Sequence, residues 1–470
     1  MRAWQPENKA GRELALASRL DLISSGKSEL LKRARDSEGE YRQIEDGGQS
    51  IVTIGSERAV AAVPEIPARA ALVGLLAVAL FINYVDRGNL ATAAPLIKTE
   101  LHLSTVQIGL MTSAFFWAYT PGQLFAGFVA DKLGGYRALA LGFAIWSVAT
   151  ALTGLVGGFA ALLVLRILLG VGEAAAFPCL SKLLAENVSP EKLGFANGCI
   201  LSGIAFGPAF GTLAGGLIIA AIGWRAMFIL FGVAAMLWLI PWFGVAGKVT
   251  PERHVSVSVL EPPPFAEMLR QRSLWGACLG HFSVNYSLYF VLSWLPLWLV
   301  QQRGFSIVEM AKLGATVYCV YGLSVLFFGW FSDHLVARGF SITRVRKTIT
   351  VLSHIGVALG LAGCALGQLG LVITCLFVCG ICLGMNSTWP IAQTLAGPKA
   401  AAKWVGVQNC IANTAGIIVP IVTGFIVDRT GSFNNAFLLA AAVSLLGAVG
   451  WGLILGRVEP VKWAGAAVVA

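Results

Sequence analysis

The strongest architectural signal is the stretch Gly-Phe-Val-Ala-Asp-Lys-Leu-Gly-Gly-Tyr-Arg at residues 127–137. It forms a short polar junction between two long apolar runs, and Gly-Trp-Phe-Ser-Asp-His at residues 329–334 echoes its beginning in the second half of the chain. Glycine allows neighbouring helices to approach closely, and Asp131 can cap a helix end or pair with Arg137. One device at matching places predicts that the two halves are structural repeats.

The junction residues with a predicted role in gating are Gly127, Asp131, Lys132, Gly134 and Arg137 in the first copy and Asp333 in the second. The second copy is degraded, since His334 stands where the first has a lysine and Val336 stands where it has a glycine. We expect each copy to form a tight junction between a helix and a loop.

The composition places the chain in a membrane. Of its 470 residues 57% are hydrophobic and 12% are charged, and the mean hydropathy is +0.75. Soluble domains carry about 25% charged residues. Crossing ~30 Å of hydrocarbon takes about 20 apolar residues, and segments of that length are helices. Twelve spans are predicted near residues 70–95, 106–130, 137–157, 159–186, 195–221, 225–246, 273–300, 306–331, 347–367, 370–397, 403–427 and 433–456.

The predicted fold is therefore an all-α membrane protein with twelve transmembrane helices in two six-helix bundles. The segments expected are a disordered polar tail at 1–69, a first bundle at 70–246, a central loop at 247–272, a second bundle at 273–457 and a tail at 458–470. A short amphipathic helix around residues 23–42 is an alternative for part of the first tail.

Loop charge predicts the orientation. One set of alternating loops carries thirteen basic residues, and the opposite set carries Lys98, Arg225, Arg303 and Arg429. Basic loops face the cytoplasm, so both termini are expected there, with the protein in the cytoplasmic (inner) membrane. The net charge of +10 is accounted for by this loop pattern, so we expect no nucleic-acid partner.

Four ionisable residues lie inside predicted spans: Asp86 and Arg87 in the first, Arg166 and Glu173 in the fourth. A charge at membrane depth is costly and usually faces a partner or a wet cavity. Arg166 and Glu173 are seven residues apart, so they share one helix face. Asp86 and Arg87 point about 100° apart, so one of them can meet that face while the other faces a central cavity. Buried salt bridges that only join helices are the alternative.

The chain resembles the major facilitator superfamily, and within it the anion:cation symporters, which include sugar-acid carriers and sialin-like transporters. The resemblance covers roughly residues 70–456. It rests on the junction at 127–137 and on further stretches, which are Asn-Tyr-Val-Asp-Arg at 83–87, Phe-Trp-Ala-Tyr at 116–119, Arg-Ile-Leu-Leu-Gly-Val-Gly-Glu-Ala at 166–174, Asn-Tyr at 285–286 and Trp-Leu-Pro at 294–296.

The resemblance implies that Asp86 and Glu173 are proton-coupling sites and that Arg87 or Arg166 holds the anion; the residues leave open which arginine does so. Protonating an acid would free an arginine for a substrate carboxylate, which links proton uptake to substrate binding. Uncharged polar groups of the second half suit a hydroxylated substrate. The substrate-binding residues expected are Arg87, Arg166, Tyr119, Asn285, Tyr289, Trp389, Ser387, Gln408 and Asn409.

The expected function is proton-coupled symport of a small organic anion, such as an aldonate, aldarate or hexuronate, by a monomer in contact with lipid. An aromatic acid, a dicarboxylate, a phosphate-type anion and coupling to sodium remain alternatives. A multidrug antiporter would not need two buried arginines, and a neutral-sugar uniporter would not need the charges. We expect no enzyme activity, cofactor or metal, since no nucleophile–base pair or ligand cluster accompanies Cys379 and Cys382.

Overall fold

The computed structural model describes residues 44–46, 49–51, 66–188, 190–246 and 264–463. Most of the predicted tail at 1–69, of the central loop at 247–272 and of the tail at 458–470 lies outside the described residues, as does the alternative helix around residues 23–42. Within residues 1–65 the described part is a small antiparallel hairpin, formed by β1 (Ile44–Asp46) and β2 (Gln49–Ile51). Ile44 pairs with Ile51 across this hairpin.

The first half folds into long helices joined by short turns. Its helices are α1 (Ile66–Glu100), α2 (Thr105–Leu133), α3 (Gly135–Thr153), α4 (Phe159–Ala174), α5 (Ala176–Asn187), α6 (Pro190–Ile222), α7 (Trp224–Leu237) and α8 (Leu239–Ala246). The pairs α4–α5 and α7–α8 each follow one another after a single residue, so each pair fills one predicted span.

The second half repeats this pattern. Its helices are α9 (Phe265–Leu269), α10 (Arg272–Gln301), α11 (Ile307–Ala337), α12 (Ile342–Leu366), α13 (Leu369–Gly384), α14 (Thr388–Thr430) and α15 (Asn434–Val449), and a π-helical turn follows at Gly450–Ile454. Helix α14 is kinked at Gly397, whose backbone is not helical. Residues before the kink complete the predicted tenth span, and residues after it form the eleventh.

The predicted fold class is confirmed. Eleven helices in the described part of the chain are long and apolar enough to cross a membrane. Helix α2, with 29 residues, lies between the first two of them in sequence and supplies the remaining predicted span. It packs against α4 in its own half and α14 in the other, which fits its more polar sequence.

Local sequence fixes the ends of equivalent helices in both halves. Ser104 and Gln107 form a capping box at the start of α2, and Ser306 and Glu309 form another at the start of α11. Such boxes satisfy backbone N–H groups that the first helical turn leaves free. Gly134 joins α2 to α3 with a φ of 82°, a conformation that glycine adopts at little cost.

The halves meet along three helix pairs, α1 with α10, α2 with α14 and α6 with α11. Asp428, near the end of α14, accepts hydrogen bonds from the backbone N–H groups of Thr105 (3.0 Å) and Val106 (2.9 Å) at the start of α2. The Ser113 hydroxyl donates to the Ile417 carbonyl at 3.0 Å one step further in. We call the end of the molecule that contains Thr105 and Asp428 the closed end.

Candidate functional site

The four ionisable residues predicted at membrane depth meet in the interior of the first half. Asp86 and Arg87 lie on α1, and Arg166 and Glu173 lie on α4. Asp86 is 2% exposed, Arg166 is 5% exposed and Glu173 is fully buried, while the Arg87 side chain is 5% exposed. Their burial makes the charges costly unless they neutralise one another or meet a ligand.

Arg87 pairs with Glu173. The Arg87 Nε donates to the Glu173 Oε2 at 3.1 Å. The guanidinium also lies over three rings, 4.7 Å from the centroid of Tyr84, 5.1 Å from that of Phe115 and 4.5 Å from that of Tyr119. Aromatic faces attract a cation at these distances. The arginine is therefore held by one acid and by an aromatic wall.

Helix packing makes this pairing possible. A Cβ atom at Gly170, between Arg166 and Glu173 on α4, would collide with the carbonyl oxygen of Phe115 on α2. The glycine therefore lets α2 approach α4 closely. This contact brings the aromatic wall of α2 onto the charged face of α4.

All four charged side chains keep one atom without a hydrogen-bond partner among the described residues, which in Arg87 is Nη2. The Nε of Arg166 has no hydrogen-bond partner among the described residues. Asp86 accepts a hydrogen bond on Oδ1 from the Asn89 amide at 2.8 Å, whereas its Oδ2 has no partner there. Glu173 likewise keeps Oε1 without a donor among the described residues. Each acid thus retains one oxygen that a proton or a donor can occupy.

Further buried polar atoms of the first half have no partner of good hydrogen-bond geometry in the described part of the chain, although Asn83 lies next to Glu173 and Thr150 next to Asp86. They are both side-chain amide atoms of Asn83, Asn89 Oδ1, Ser147 Oγ and Thr150 Oγ1. Buried polar groups are normally hydrogen-bonded, and exceptions often mark functional places. The interior of the first half is therefore a polar region with unused bonding capacity.

A cavity lies between the halves, beside the two arginines. It measures about 30 Å³, which is room for about two water molecules. Its lining comes from α1, α2 and α4 of the first half and from α10 of the second. The lining residues are Arg87, Thr112, Phe115, Phe116, Arg166, Leu169, Tyr289, Leu292 and Ser293.

Three of the predicted binding residues line this cavity: Arg87, Arg166 and Tyr289. Tyr289 donates its hydroxyl hydrogen to Asn413 Oδ1 at 2.8 Å, and its oxygen lies next to the Arg87 guanidinium. Tyr119 is not part of the lining but stacks on Phe115, with ring centroids 5.0 Å apart. Its ring contact with Arg87 places it directly behind the cavity wall.

The other predicted binding residues lie outside the cavity lining. Gln408 is bonded to Trp404, whose Nε1 donates to it at 3.1 Å, and lies 3.3 Å from the His281 Nδ1. Trp389 meets the His281 ring edge-on with centroids 5.1 Å apart and is 43% exposed. The remaining members of this set are Asn285, which is buried, Ser387, whose backbone N–H donates to Thr350 Oγ1 at 3.1 Å, and Asn409, which is half-buried.

The lining also contains residues that sequence analysis did not select, among them Thr112, Leu169 and Ser293. One signal was available for Ser293. The polar positions 281, 285 and 289 on α10 recur every four residues, and 293 continues the row. Residues four apart lie on one helix face, so the row leads into the cavity.

The junction residues fall at the end of the molecule opposite the closed end. Lys132 and Arg137 are exposed, and the side chain of Asp131 lies outside those described. In the second copy Asp333 pairs with Arg346 of α12 at 3.2 Å. Gly339, three residues after the degraded position, takes the positive φ of 91° between α11 and α12, so the second half turns with a displaced glycine.

Chemically, the site offers one engaged arginine, one arginine with a free Nε and two acids with a free oxygen each. Guanidinium groups bind carboxylates and phosphates with paired hydrogen bonds. A proton on Glu173 would weaken its attraction for Arg87. The Arg87 guanidinium can therefore exchange the Glu173 carboxylate for an anion that enters the cavity.

Comparisons with known proteins identify the family of the chain. A family model described as the Major Facilitator Superfamily matches residues 76–416. A hexuronate transporter of Bacillus subtilis is 30% identical over 376 residues, which cover 77% of this chain and 89% of the relative. A D-galactonate transporter of Escherichia coli is 30% identical over 430 residues, covering 84% and 100%.

A third relative, a probable sulfoacetate transporter of Cupriavidus necator, is 30% identical over 411 residues, which cover 82% of this chain and 93% of the relative. Among solved structures, a bacterial homologue of the human lysosomal transporter Spinster, in an inward-facing and unoccupied conformation, has a TM-score of 0.65 at 21% identity. It covers 83% of this chain and 95% of its own. That likeness shows the shared fold.

Proposed function

The chain belongs to the Major Facilitator Superfamily, and we propose that within this family it carries a small organic anion across the membrane together with a proton. The proposed cargo is a sugar acid such as an aldonate, aldarate or hexuronate. Family members and the relatives described above are transporters and not enzymes. Proton coupling and the cargo are the parts of this statement that require experiment.

The observation that carries the proposal is the 3.1 Å pair between Arg87 and Glu173 beside a cavity that Arg166 also lines. A pair with a purely structural role would be expected to lie away from any ligand space. Here the same guanidinium faces both its acid and the cavity. Competition between the internal carboxylate and a substrate carboxylate follows directly from this position.

The proposed cycle begins with protonation of Glu173. The neutral acid holds Arg87 less strongly, and the arginine becomes available to a substrate carboxylate. Arg166, whose Nε has no hydrogen-bond partner among the described residues, provides the first contact for the incoming anion. Because proton uptake favours anion binding, anion binding favours proton uptake to the same degree. Asp86, bonded to Asn89, is the second proposed proton site.

The proposed orientation follows the loop charges. Loops at the closed end include the four positions Lys98, Arg225, Arg303 and Arg429, whereas most basic residues lie at the opposite end, which is expected to be cytoplasmic. The contacts of Asp428 with Thr105 and Val106 would then seal the outer side. We place both termini in the cytoplasm, the protein in the inner membrane, and transport in a monomer.

Alternating access provides the movement. Rocking of the two halves about the central site would open the closed end and shut the other. The cavity of about 30 Å³ is too small for a sugar acid, because drug-sized ligands occupy pockets of roughly 300 Å³ or more. Binding therefore requires the halves to move apart around Arg87 and Arg166.

The lining also favours a second candidate cargo, an aromatic carboxylate. Four of the nine lining residues are apolar, namely Phe115, Phe116, Leu169 and Leu292. Such a wall suits an aromatic ring as well as the carbon face of a sugar. The two candidates differ in the hydroxyl groups that the substrate offers.

Uptake into proteoliposomes tests the proposal. Labelled D-galactonate, D-glucuronate, benzoate and succinate would be supplied with an imposed pH gradient, with a sodium gradient, or with neither. We expect accumulation of a sugar acid only when the outside is more acidic. Accumulation driven by sodium alone would contradict proton coupling, and accumulation of benzoate alone would select the second candidate.

A further inference from the structure

We propose that Ser293 hydrogen-bonds a hydroxyl group on the body of the bound anion and thereby sets substrate specificity. This inference rests on the proposed function, because the carboxylate is taken to lie at the arginines. It favours the sugar acid over a simple aromatic carboxylate such as benzoate, because only the sugar acid has a hydroxyl group within reach of its carboxylate. It also assigns a residue of the second half to the site.

Ser293 lies across the cavity from the two arginines. The residue lies on α10 and lines the cavity together with Arg87 of α1 and Arg166 of α4. It is 7% exposed, so its hydroxyl faces the cavity from a largely dry wall. A ligand whose carboxylate meets the arginines would extend toward α10.

Neighbouring hydroxyl groups donate their hydrogens to backbone carbonyls. On the same helix, Ser283 donates to the Leu279 carbonyl at 2.8 Å and Ser287 donates to the Ser283 carbonyl at 3.2 Å. Thr112, the other small hydroxyl of the lining, donates to the Ile108 carbonyl at 3.0 Å. Serine and threonine inside helices commonly bond the carbonyl four residues back, and these three follow that habit.

Ser293 differs from these residues, because it has no hydrogen bond among the described residues. Its hydroxyl keeps both its donor and its acceptor capacity, whereas Thr112 and Tyr289 have committed their hydrogens to the protein. Ser293 Oγ is also absent from the fully buried polar atoms without a partner, so it is open to the cavity, where water or a ligand hydroxyl can bond to it. A substrate hydroxyl would replace the bonds that water makes there, whereas an analogue without a hydroxyl would cover Ser293 Oγ and leave it without a partner.

The consequence is a division of the substrate between the halves. The arginines of the first half bind the carboxylate, and Ser293 of the second half hydrogen-bonds a hydroxyl group on the uncharged part of the substrate. Sites that hydrogen-bond a substrate hydroxyl reject analogues without it far more strongly than apolar pockets reject a missing methylene. The same bridge would link the two halves through the ligand during closure.

The test compares wild-type protein with Ser293→Ala in binding to D-galactonate and to hexanoate, which has six carbons and no hydroxyl group. We expect the variant to raise the dissociation constant for D-galactonate about tenfold, or about 1.4 kcal/mol, and to change that for hexanoate less than twofold. Ser287→Ala, on the same helix but outside the lining, is the matched control and should leave both values unchanged. Ser293→Thr keeps a hydroxyl and should retain most of the preference.

An equal effect of Ser293→Ala on both anions, or none on D-galactonate, would overturn the assignment. So would wild-type protein that binds hexanoate as tightly as D-galactonate. These outcomes differ from a failure of the proposed function. In that case wild-type proteoliposomes would show no pH-driven anion uptake, whatever residue stands at position 293.

Discussion

The two halves share one architecture but differ in what they bury. The first half buries the side chains of Asp86, Arg166 and Glu173, and also that of Arg87, which pairs with the glutamate. In the described part of the second half the buried polar residues are neutral groups and histidines, many of them bonded to the protein, as Tyr289 is to Asn413. Equal folds therefore carry unequal chemistry.

This difference teaches how a duplicated fold can divide its work. Burying a charge in a membrane is unfavourable in free energy. When all the buried charges lie in one half, the other half does not have to stabilise any. Neutral polar groups are less unfavourable to bury than charges, and their hydrogen bonds suit recognition of the uncharged part of a substrate. We therefore expect substitutions in the first half to affect coupling and anion binding, and those in the second half to affect selectivity.

The largest effect is expected from Glu173→Gln. The amide resembles a permanently protonated acid, so Arg87 loses its ionic partner and the proton-dependent step is removed. Accumulation driven by a pH gradient should be abolished, while exchange of anion for anion remains measurable in preloaded proteoliposomes. Glu459→Gln, at an exposed position, is the control. Normal accumulation by the Glu173 variant would show that another group couples the proton.

Loss of either cavity arginine should come next. Hydrogen bonds to charged groups contribute about 1.5–3 kcal/mol, so Arg166→Ala and Arg87→Ala should each weaken anion binding by more than about tenfold. Arg87→Lys should recover little, because lysine lacks the planar paired donors. Arg457→Ala, at an exposed site, serves as the control in the same binding assay. If both alanine variants bind the anion as tightly as the wild-type protein does, the proposal that the arginines bind an anion is wrong.

A smaller effect is expected in the second half from Tyr289→Phe. This variant removes a cavity oxygen and the 2.8 Å bond to Asn413, at a cost of about 1 kcal/mol. The Michaelis constant for D-galactonate should rise about fivefold, with proton coupling intact. Tyr318→Phe is the matched control, since its hydroxyl contacts the Val291 carbonyl at 3.5 Å outside the lining. Loss of coupling in Tyr289→Phe would break the proposed division between the halves.

The smallest effect concerns the contact that joins the halves. Asp428→Asn weakens a charged cap on the first turn of α2, and such caps contribute about 1 kcal/mol. The apparent melting temperature in detergent should fall by a few degrees. Asp333→Asn breaks the more exposed pair with Arg346 within one half and should shift it less. An equal shift in both variants would mean that the closed end contributes no special stability.

Much of the fold was predictable because long apolar runs and short polar turns can be read directly. The predicted spans and the observed helices agree within a few residues in most cases, as with 273–300 and Arg272–Gln301. The interruption of the tenth span between α13 and α14 was not predicted. It falls at Met385, Asn386 and Ser387, where side-chain hydrogen bonds compete with helical ones.

The site was only partly predictable, because a sequence gives the face of each helix but not its rotation against its neighbours. The common face of Arg166 and Glu173 was expected, yet the sequence left open whether Asp86 or Arg87 would meet it. Arg87 does so in the 3.1 Å pair. Gln408 was selected as a ligand group, but it is bonded to Trp404.

The central claim is that anion and proton are transported together and that the buried charges of the first half couple them. Its most direct measurement is the lumen pH of proteoliposomes, followed with a trapped pH-sensitive dye. D-galactonate is added outside with no imposed pH or sodium gradient. We predict that wild-type protein acidifies the lumen as labelled D-galactonate enters, and that Glu173→Gln does not. Entry of D-galactonate through the wild-type protein with no change in lumen pH would contradict the account.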